Sequence, residues 1–228
     1  MPRTIWLCGL FCVLGCVGTE SASKGEGGLV QRSATRFDFE SGALGETPSG
    51  FMSERTGEGP LGNWIVQPGD GAPLRGQVLA QTNPDPTESR FPLCIAKAVD
   101  ARDARVSVQF QTRSGEIDQA AGIVLRYRDP DTYYMARVNA LERNVRFYRV
   151  VGGVRTQLGS ATANVAKAWH KLLVEARGST FRIEYDGTTL LSVEDTTLER
   201  AGKAGLWTKA DSVTWFDDFT IESLDAAR

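Results

Sequence analysis

The densest group of side chains able to do chemistry lies between Arg126 and Arg155. Seven arginines (126, 128, 137, 143, 146, 149 and 155) stand there against three acids (129, 131 and 142), with tyrosines 127, 133, 134 and 148 interleaved. Guanidinium forks pair with carboxylates and sulfates, and flat guanidinium and phenol groups can cover sugar rings, so the stretch points to a neutral or acidic glycan. The competing explanation is that alternating arginines solvate an exposed sheet face and guard it against edge pairing. Strand alternation puts Tyr133, Arg137 and Asn139 on one face and Tyr134 on the other. The candidate carbohydrate-binding set is Arg126, Tyr133, Arg137, Asn139 and Arg146, joined by Trp207. Trp207 shares its parity with Lys209 and is either a sugar platform or a core tryptophan packed between sheets.

Other chemistries are scarce. The single histidine, His170, removes every multi-histidine metal site and leaves one imidazole for acid–base work. It opens a run in which Leu172, Val174 and Ala176 define an inward face, a structural position. With 26 Lys plus Arg against 28 Asp plus Glu, the chain lacks the surplus of cations that a general nucleic-acid binder needs.

Three of the four cysteines, Cys8, Cys12 and Cys16, fall near the N-terminus. Arg3 precedes an apolar run from Ile5 to Gly15, the length of a signal-peptide core rather than of a membrane span. Val13-Leu14-Gly15-Cys16 resembles the bacterial lipobox, so residues 1–16 are expected to be a lipoprotein-type signal peptide with Cys16 as the lipidation site. Acyl chains at Cys16 would anchor the protein on a membrane; the alternative is ordinary cleavage near Thr19 or Ser23 and full secretion. Either route implies export, to the bacterial cell envelope, lipid-anchored or secreted. Residues 17–35, rich in Ser, Gly and Thr, read as a flexible linker. Only Cys94 remains beyond it, flanked by apolar residues as a small core hydrophobe.

From residue 36 onward the dominant period is two. Val106, Val108 and Phe110 alternate with Ser107, Gln109 and Gln111, and Phe181, Ile183 and Tyr185 alternate with Arg182 and Glu184. Gly152-Gly153 and Asp186-Gly187 suit two-residue hairpins, and Asp129-Pro130-Asp131 makes a third turn. The one plausible helical stretch is Thr196 to Ala201. Roughly a dozen short strands without a repeat predict an all-β fold over residues 36–224, a two-sheet antiparallel β-sandwich of jelly-roll type. Val213, Trp215, Asp217, Phe219 and Ile221 would share one face of the last strand, placing the Asp217 carboxylate among large apolar groups.

Several segments carry a family likeness: Asp118-Gln119-Ala120-Ala121-Gly122-Ile123-Val124-Leu125-Arg126-Tyr127, Asp131-Thr132-Tyr133-Tyr134, Trp169-His170, Gly205-Leu206-Trp207-Thr208-Lys209-Ala210-Asp211-Ser212 and Phe216-Asp217-Asp218-Phe219. Over roughly residues 36–224 the chain resembles the concanavalin A-like, laminin-G-like jelly-roll domains of bacterial envelope proteins. In particular it resembles the group called 3-keto-disaccharide hydrolase-like or family 16 glycosidase-like. The resemblance to family 16 implies a strand motif Glu-x-Asp-x-Glu bearing the catalytic carboxylates. Glu116-Ile117-Asp118 matches its first half, but Gln119, Ala120 and Ala121 follow, so the acid/base carboxylate has no counterpart. The resemblance also implies a structural calcium near the first and last strands, with Asp217 as candidate ligand and Asp38 or Glu40 as helpers.

These features predict an exported, lipid-anchored domain that binds carbohydrate, or another envelope partner, without catalysis. The alternative is a glycoside hydrolase or lyase acting on a (3-keto) disaccharide or polysaccharide. Cys16→Ala is expected to shift the protein from the detergent phase to the aqueous phase in a detergent-partition experiment, and unchanged partitioning would remove the lipid anchor.

Overall fold

The computed structural model describes residues 34–225, which form β-strands and their connections with no helix among them. The first strands are β1 (Ala34–Phe37), β2 (Phe51–Gly57), β3 (Trp64–Pro68), β4 (Gln77–Gln81) and β5 (Arg90–Ala101). The middle of the chain gives β6 (Ala104–Ser114), β7 (Ala120–Asp129), β8 (Thr132–Asn139), β9 (Asn144–Val151) and β10 (Val154–Thr162). The last are β11 (His170–Arg177), β12 (Thr180–Tyr185), β13 (Thr188–Glu194), β14 (Gly202–Trp207) and β15 (Val213–Ser223).

They form two sheets in which every strand pair is antiparallel. One has eight strands, ordered β13-β12-β11-β6-β15-β4-β3 with β1 also paired to β15; the other has seven, ordered β10-β9-β8-β7-β14-β5-β2. The late strands β14 and β15 insert between earlier ones, which is the crossing pattern of a jelly roll. Between the sheets lies a core whose one side is Val106, Val108, Phe110, Leu172, Val174 and Phe181 and whose other is Cys94, Ile123, Tyr134, Ala136, Phe147 and Leu206. Cys94 is fully buried there, and burial pushes its thiol far up, away from the reactive thiolate.

Turn chemistry explains the hairpins. Gly152 and Gly153 (φ 57° and 77°) and Asp186 and Gly187 (φ 48° and 78°) adopt the left-handed pairs whose twist matches that of the flanking strands. The chain also turns at Pro130-Asp131, between β7 and β8.

Three local expectations change. The segment Thr196 to Ala201 is irregular rather than helical. Asp195 Oδ1 accepts the Thr197 N–H at 2.9 Å, Leu198 donates its N–H to the Tyr134 hydroxyl at 3.0 Å, and the Leu198 carbonyl receives Arg126 Nη1 at 2.8 Å. The backbone groups that a helix would use are therefore engaged elsewhere. In β15 the alternation breaks at a bulge with Asp218 at φ 50°, where the pairing with β6 slips between Asp217 and Thr220. Phe216 thus joins Phe219 and Ile221 inside, while Trp215 faces outward beneath the Arg113 guanidinium, 3.9 Å from its ring.

The third change removes Arg126 from the carbohydrate-binding set. A bulge in β7 puts Arg126 at φ 48° and turns its side chain into the end of the sandwich. There it donates to the carbonyls of Arg102 (2.8 Å), Leu198 (2.8 Å) and Gly178 (2.5 Å), 5.0 Å from the Phe181 ring. It ties three connections together instead of facing a ligand. Arg126→Ala strands those carbonyls and is expected to destabilise the domain by about 3 kcal/mol; an unchanged denaturation midpoint would contradict this role.

Candidate functional site

The outer face of the seven-stranded sheet, pointing away from the main core, carries a second apolar cluster. Phe91, Leu93, Ile95, Val124, Tyr127, Tyr133, Met135, Tyr148, Val150 and Trp207 all lie there and are buried. Trp207 stacks on Phe91 with ring centroids 5.8 Å apart and planes 10° from parallel. Gly122, opposite both Arg137 and Trp207 in register, leaves room for the indole, since a Cβ there would come within 2.8 Å of the Ala136 carbonyl oxygen and 3.3 Å of Trp207.

Curvature explains how side chains on an outer face become buried. Arg155 of β10 and Phe91 of β5 are five strand positions apart, so a flat sheet would separate them by about 24 Å. The Arg155 guanidinium nevertheless lies 4.1 Å from the Phe91 ring. Thr56 of β2 likewise meets the Tyr133 hydroxyl of β8 at 2.7 Å, four positions across. The sheet therefore twists and curls around this face, making it concave.

A polar layer sits on the aromatic floor. Asp118, only 1% exposed, accepts Asn139 Nδ2 at 2.6 Å and Lys209 Nζ at 2.7 Å. Glu142, on the turn between β8 and β9, receives Arg137 Nη2 at 2.9 Å, Arg146 Nη1 at 3.0 Å and Asn144 Nδ2 at 3.1 Å. Arg146 also reaches the Tyr148 hydroxyl at 3.4 Å.

Asp118 is held by its own loop. The Asp211 carboxylate accepts three successive backbone N–H groups, from Glu116 (2.6 Å), Ile117 (3.0 Å) and Asp118 (2.9 Å). The turn requires glycine at 115, where φ is 150° and a Cβ would fall 1.8 Å from the Asp118 carbonyl oxygen. Arg90, fully buried, braces the neighbouring loops by donating to the carbonyls of Pro60 (2.9 Å), Leu61 (3.2 Å), Asn83 (3.2 Å) and Ala210 (2.6 Å).

The environment divides the titrating groups. Burial holds the Asp118 carboxyl above the ordinary aspartate value, despite the lowering pull of Lys209 and Arg137. Burial would also raise Glu142, Asp211 and Tyr148, but their partners outweigh it. Arg137, Asn144 and Arg146 hold Glu142 below the usual glutamate value, the three N–H groups hold Asp211 down, and Arg146 and Arg137 lower the Tyr148 phenol. Tyr133, deeper in the floor, is pushed by burial to about 12.

The structure thus brings Tyr133, Arg137, Asn139, Arg146 and Trp207 onto one concave face and takes Arg126 to the end of the sandwich. Trp207 is neither an exposed platform nor packed between the sheets; it is the covered floor of the outer face. The carbohydrate-binding set omitted Asp118, Lys209, Glu142 and Arg155. Asp118 carried two signals, its place in Glu116-Ile117-Asp118 and its position two residues before the continuously apolar run of β7, a strand buried on both faces. His170 is on the other sheet, with Nδ1 2.8 Å from Asp186 Oδ2 and Nε2 3.1 Å from the Ala166 carbonyl, and so caps its own strand.

The calcium expectation at Asp217 does not fit the donor set. Its carboxylate accepts the N–H groups of Leu74 (3.1 Å) and Asp218 (2.7 Å), and Glu40 accepts those of Gly76 (3.0 Å) and Gln77 (3.2 Å). These oxygens already accept backbone N–H groups, and among the described residues no group of three or more His, Cys, Asp or Glu side chains could hold a metal ion. The lipidation site, Cys16, lies outside the described residues.

The described strands define a jelly-roll β-sandwich, and solved structures share it. A carbohydrate-binding module, CBM66 from Bacillus subtilis, superposes with a TM-score of 0.59 at 20% identity, covering 76% of this chain and 96% of that one. A protein of unknown function from Shewanella oneidensis MR-1 gives 0.55 at 15% identity over 86% and 90% of the two chains. The exoplasmic/lumenal domain of VIP36, in a Ca2+/Man-bound form, gives 0.54 at 11% identity over 77% and 84%. No protein-family model and no curated protein matches the sequence.

Asp211 generates a pH prediction. Because its folded-state value lies below the ordinary 3.8, it stabilises the fold above that value and the contribution disappears as pH falls through the folded value. Asp118 has the opposite sign, its ionisation costing stability as pH rises past the ordinary value. Asp211→Asn is expected to flatten the acid limb of the stability–pH curve below about pH 4, and an unchanged acid limb would contradict the clamp.

Proposed function

We propose that this chain is a non-catalytic glycan-binding domain whose ligand lies on the concave face of the seven-stranded sheet. One observation carries the reading: Asp118, Asn139, Lys209, Arg137 and Arg146 form a connected set of acceptors and donors above an aromatic floor. Sugar hydroxyls both donate and accept, so they need such mixed partners, and buried side chains that hold one another in place lower the ordering cost of binding. Two proteins of the same fold, the CBM66 module and the mannose-bound VIP36 domain, carry names that match this reading. Export by residues 1–16 and lipidation at Cys16 would hold the domain at the bacterial cell envelope as a glycan-capturing module.

A second reading, a hydrolase or lyase of the 3-keto-disaccharide hydrolase-like kind, is favoured by the opposite displacement of Asp118 and Tyr148 on one face. A carboxyl held up gives its proton up less readily, and a phenol held down gives its proton up more readily.

One experiment separates the two. The protein is passed over immobilised neutral, acidic and oxidised glycans while retention and release of reducing ends are both followed. Retention without release is expected, with Asn139→Ala and Lys209→Ala each weakening it about tenfold, the scale of one hydrogen bond to a charged group. Release that vanishes in Asp118→Asn would move the assignment to the enzyme. Silence towards every glycan would remove both.

A further inference from the structure

Charge on the concave face is unequally matched. Arg137, Arg146, Arg155 and Lys209 supply four cations, Glu142 and Asp118 are the carboxylates in ion pairs with them, and Glu54 and Asp131 lie near the floor tyrosines Tyr127 and Tyr133. Glu142 serves Arg137 and Arg146, and Asp118 serves Lys209. The Arg155 side chain has neither an ion pair nor a hydrogen bond among the described residues. Its guanidinium rests on two rings, 4.1 Å from Phe91 and 5.5 Å from Tyr148, where burial lowers its pKa, with Arg137 adding to that pull and Tyr148, Tyr133 and Asp118 opposing it.

Arg137 supports the same conclusion independently. Its side chain is 3% exposed, and although Nη2 meets Glu142, Nε and Nη1 are buried without a hydrogen-bond partner. Arg146 Nε is in the same condition. Unmet donors inside a desolvated face are costly to retain, and an acceptor brought by a ligand satisfies them, a carboxylate more strongly than a neutral oxygen.

We propose that the glycan recognised here is acidic, with a sugar carboxylate held by Arg155 and Arg137. This rests on the glycan-binding reading above and adds the ligand's chemical class. A carboxylate offers two coplanar oxygens to a guanidinium fork, whereas a neutral hydroxyl gives Arg155 no ion pair. Glu142, with its side chain 37% exposed and directly against Arg137 and Arg146, is an internal carboxylate that the ligand's own must compete with or displace.

Calorimetric titration of the full chain with tetragalacturonate, its fully methyl-esterified form and a sulfated neutral tetrasaccharide tests the assignment. The acid is expected to bind at least about tenfold more tightly than its ester, an advantage that shrinks as salt rises. Arg155→Gln should erase the difference between acid and ester, with its melting temperature confirming that it folds. Glu142→Gln, which removes the competing charge, should strengthen acid binding several-fold. Equal binding of acid and ester overturns the acidic assignment while leaving glycan binding intact. Preference for the sulfated sugar replaces the carboxylate by a sulfate and overturns that part alone. No binding of any of the three, together with silence on the immobilised panel, overturns both this inference and the reading beneath it.

Discussion

Three consecutive backbone N–H groups, those of Glu116, Ile117 and Asp118, converge on the single carboxylate of Asp211. That contact joins the loop before β7 to the loop before β15, segments more than 90 residues apart in sequence. Once it forms, Asp118 has one position, and Lys209, two residues before Asp211, is brought to it. Asn139 then completes the group from β8. A charged acceptor with three N–H donors is among the stronger arrangements a carboxylate can have, so the polar layer of the concave face inherits its geometry from a rigid point rather than from a mobile loop. Arg90 does the same with opposite polarity, one buried guanidinium collecting four loop carbonyls.

The seven-stranded sheet is buried on both faces along β5, β7 and β8, which is why these strands read as nearly continuous apolar runs instead of clean alternations. Its inner side packs on the eight-stranded sheet, and its outer side closes on itself through curl. The contacts of Arg155 with Phe91 and of Thr56 with Tyr133 connect opposite sides of the sheet and keep the concavity tight. Aromatic rings at that depth give a stiff apolar floor, and a stiff floor lets polar groups above it hold fixed directions. The cost is desolvation of several charges, only partly offset by Glu142 and Asp118.

How far the amino-acid sequence could be read depends on whether each signal was local. Gly152-Gly153 and Asp186-Gly187 marked their hairpins because positive φ at both turn positions is a property of the residues themselves. The face shared by Tyr133, Arg137 and Asn139 followed from the strand period alone. The alternation of β15 misled at Asp217-Asp218, since a bulge set by pairing with β6 reverses parity halfway along the strand. Arg126 misled in the same way, its bulge sending a residue of the arginine-rich stretch to the end of the sandwich. Thr196 to Ala201 had helical composition, but Tyr134 and Arg126 captured its backbone groups.

By itself, then, the sequence determined the all-β class, the hairpin positions, the apolar faces and the concentration of arginine and tyrosine that became one side of the candidate site. These are consequences of backbone preference and of a two-residue period, both written within a few positions. Only the tertiary structure decided that Asp118 is buried beside Lys209, that Arg155 lies on Phe91 without an ion pair, and that Trp207 is floor rather than platform. Those facts depend on the order in which distant strands pair and on how strongly the sheet curls. Neither is encoded within any short stretch, because each contact joins residues whose separation along the chain carries no local energetic trace.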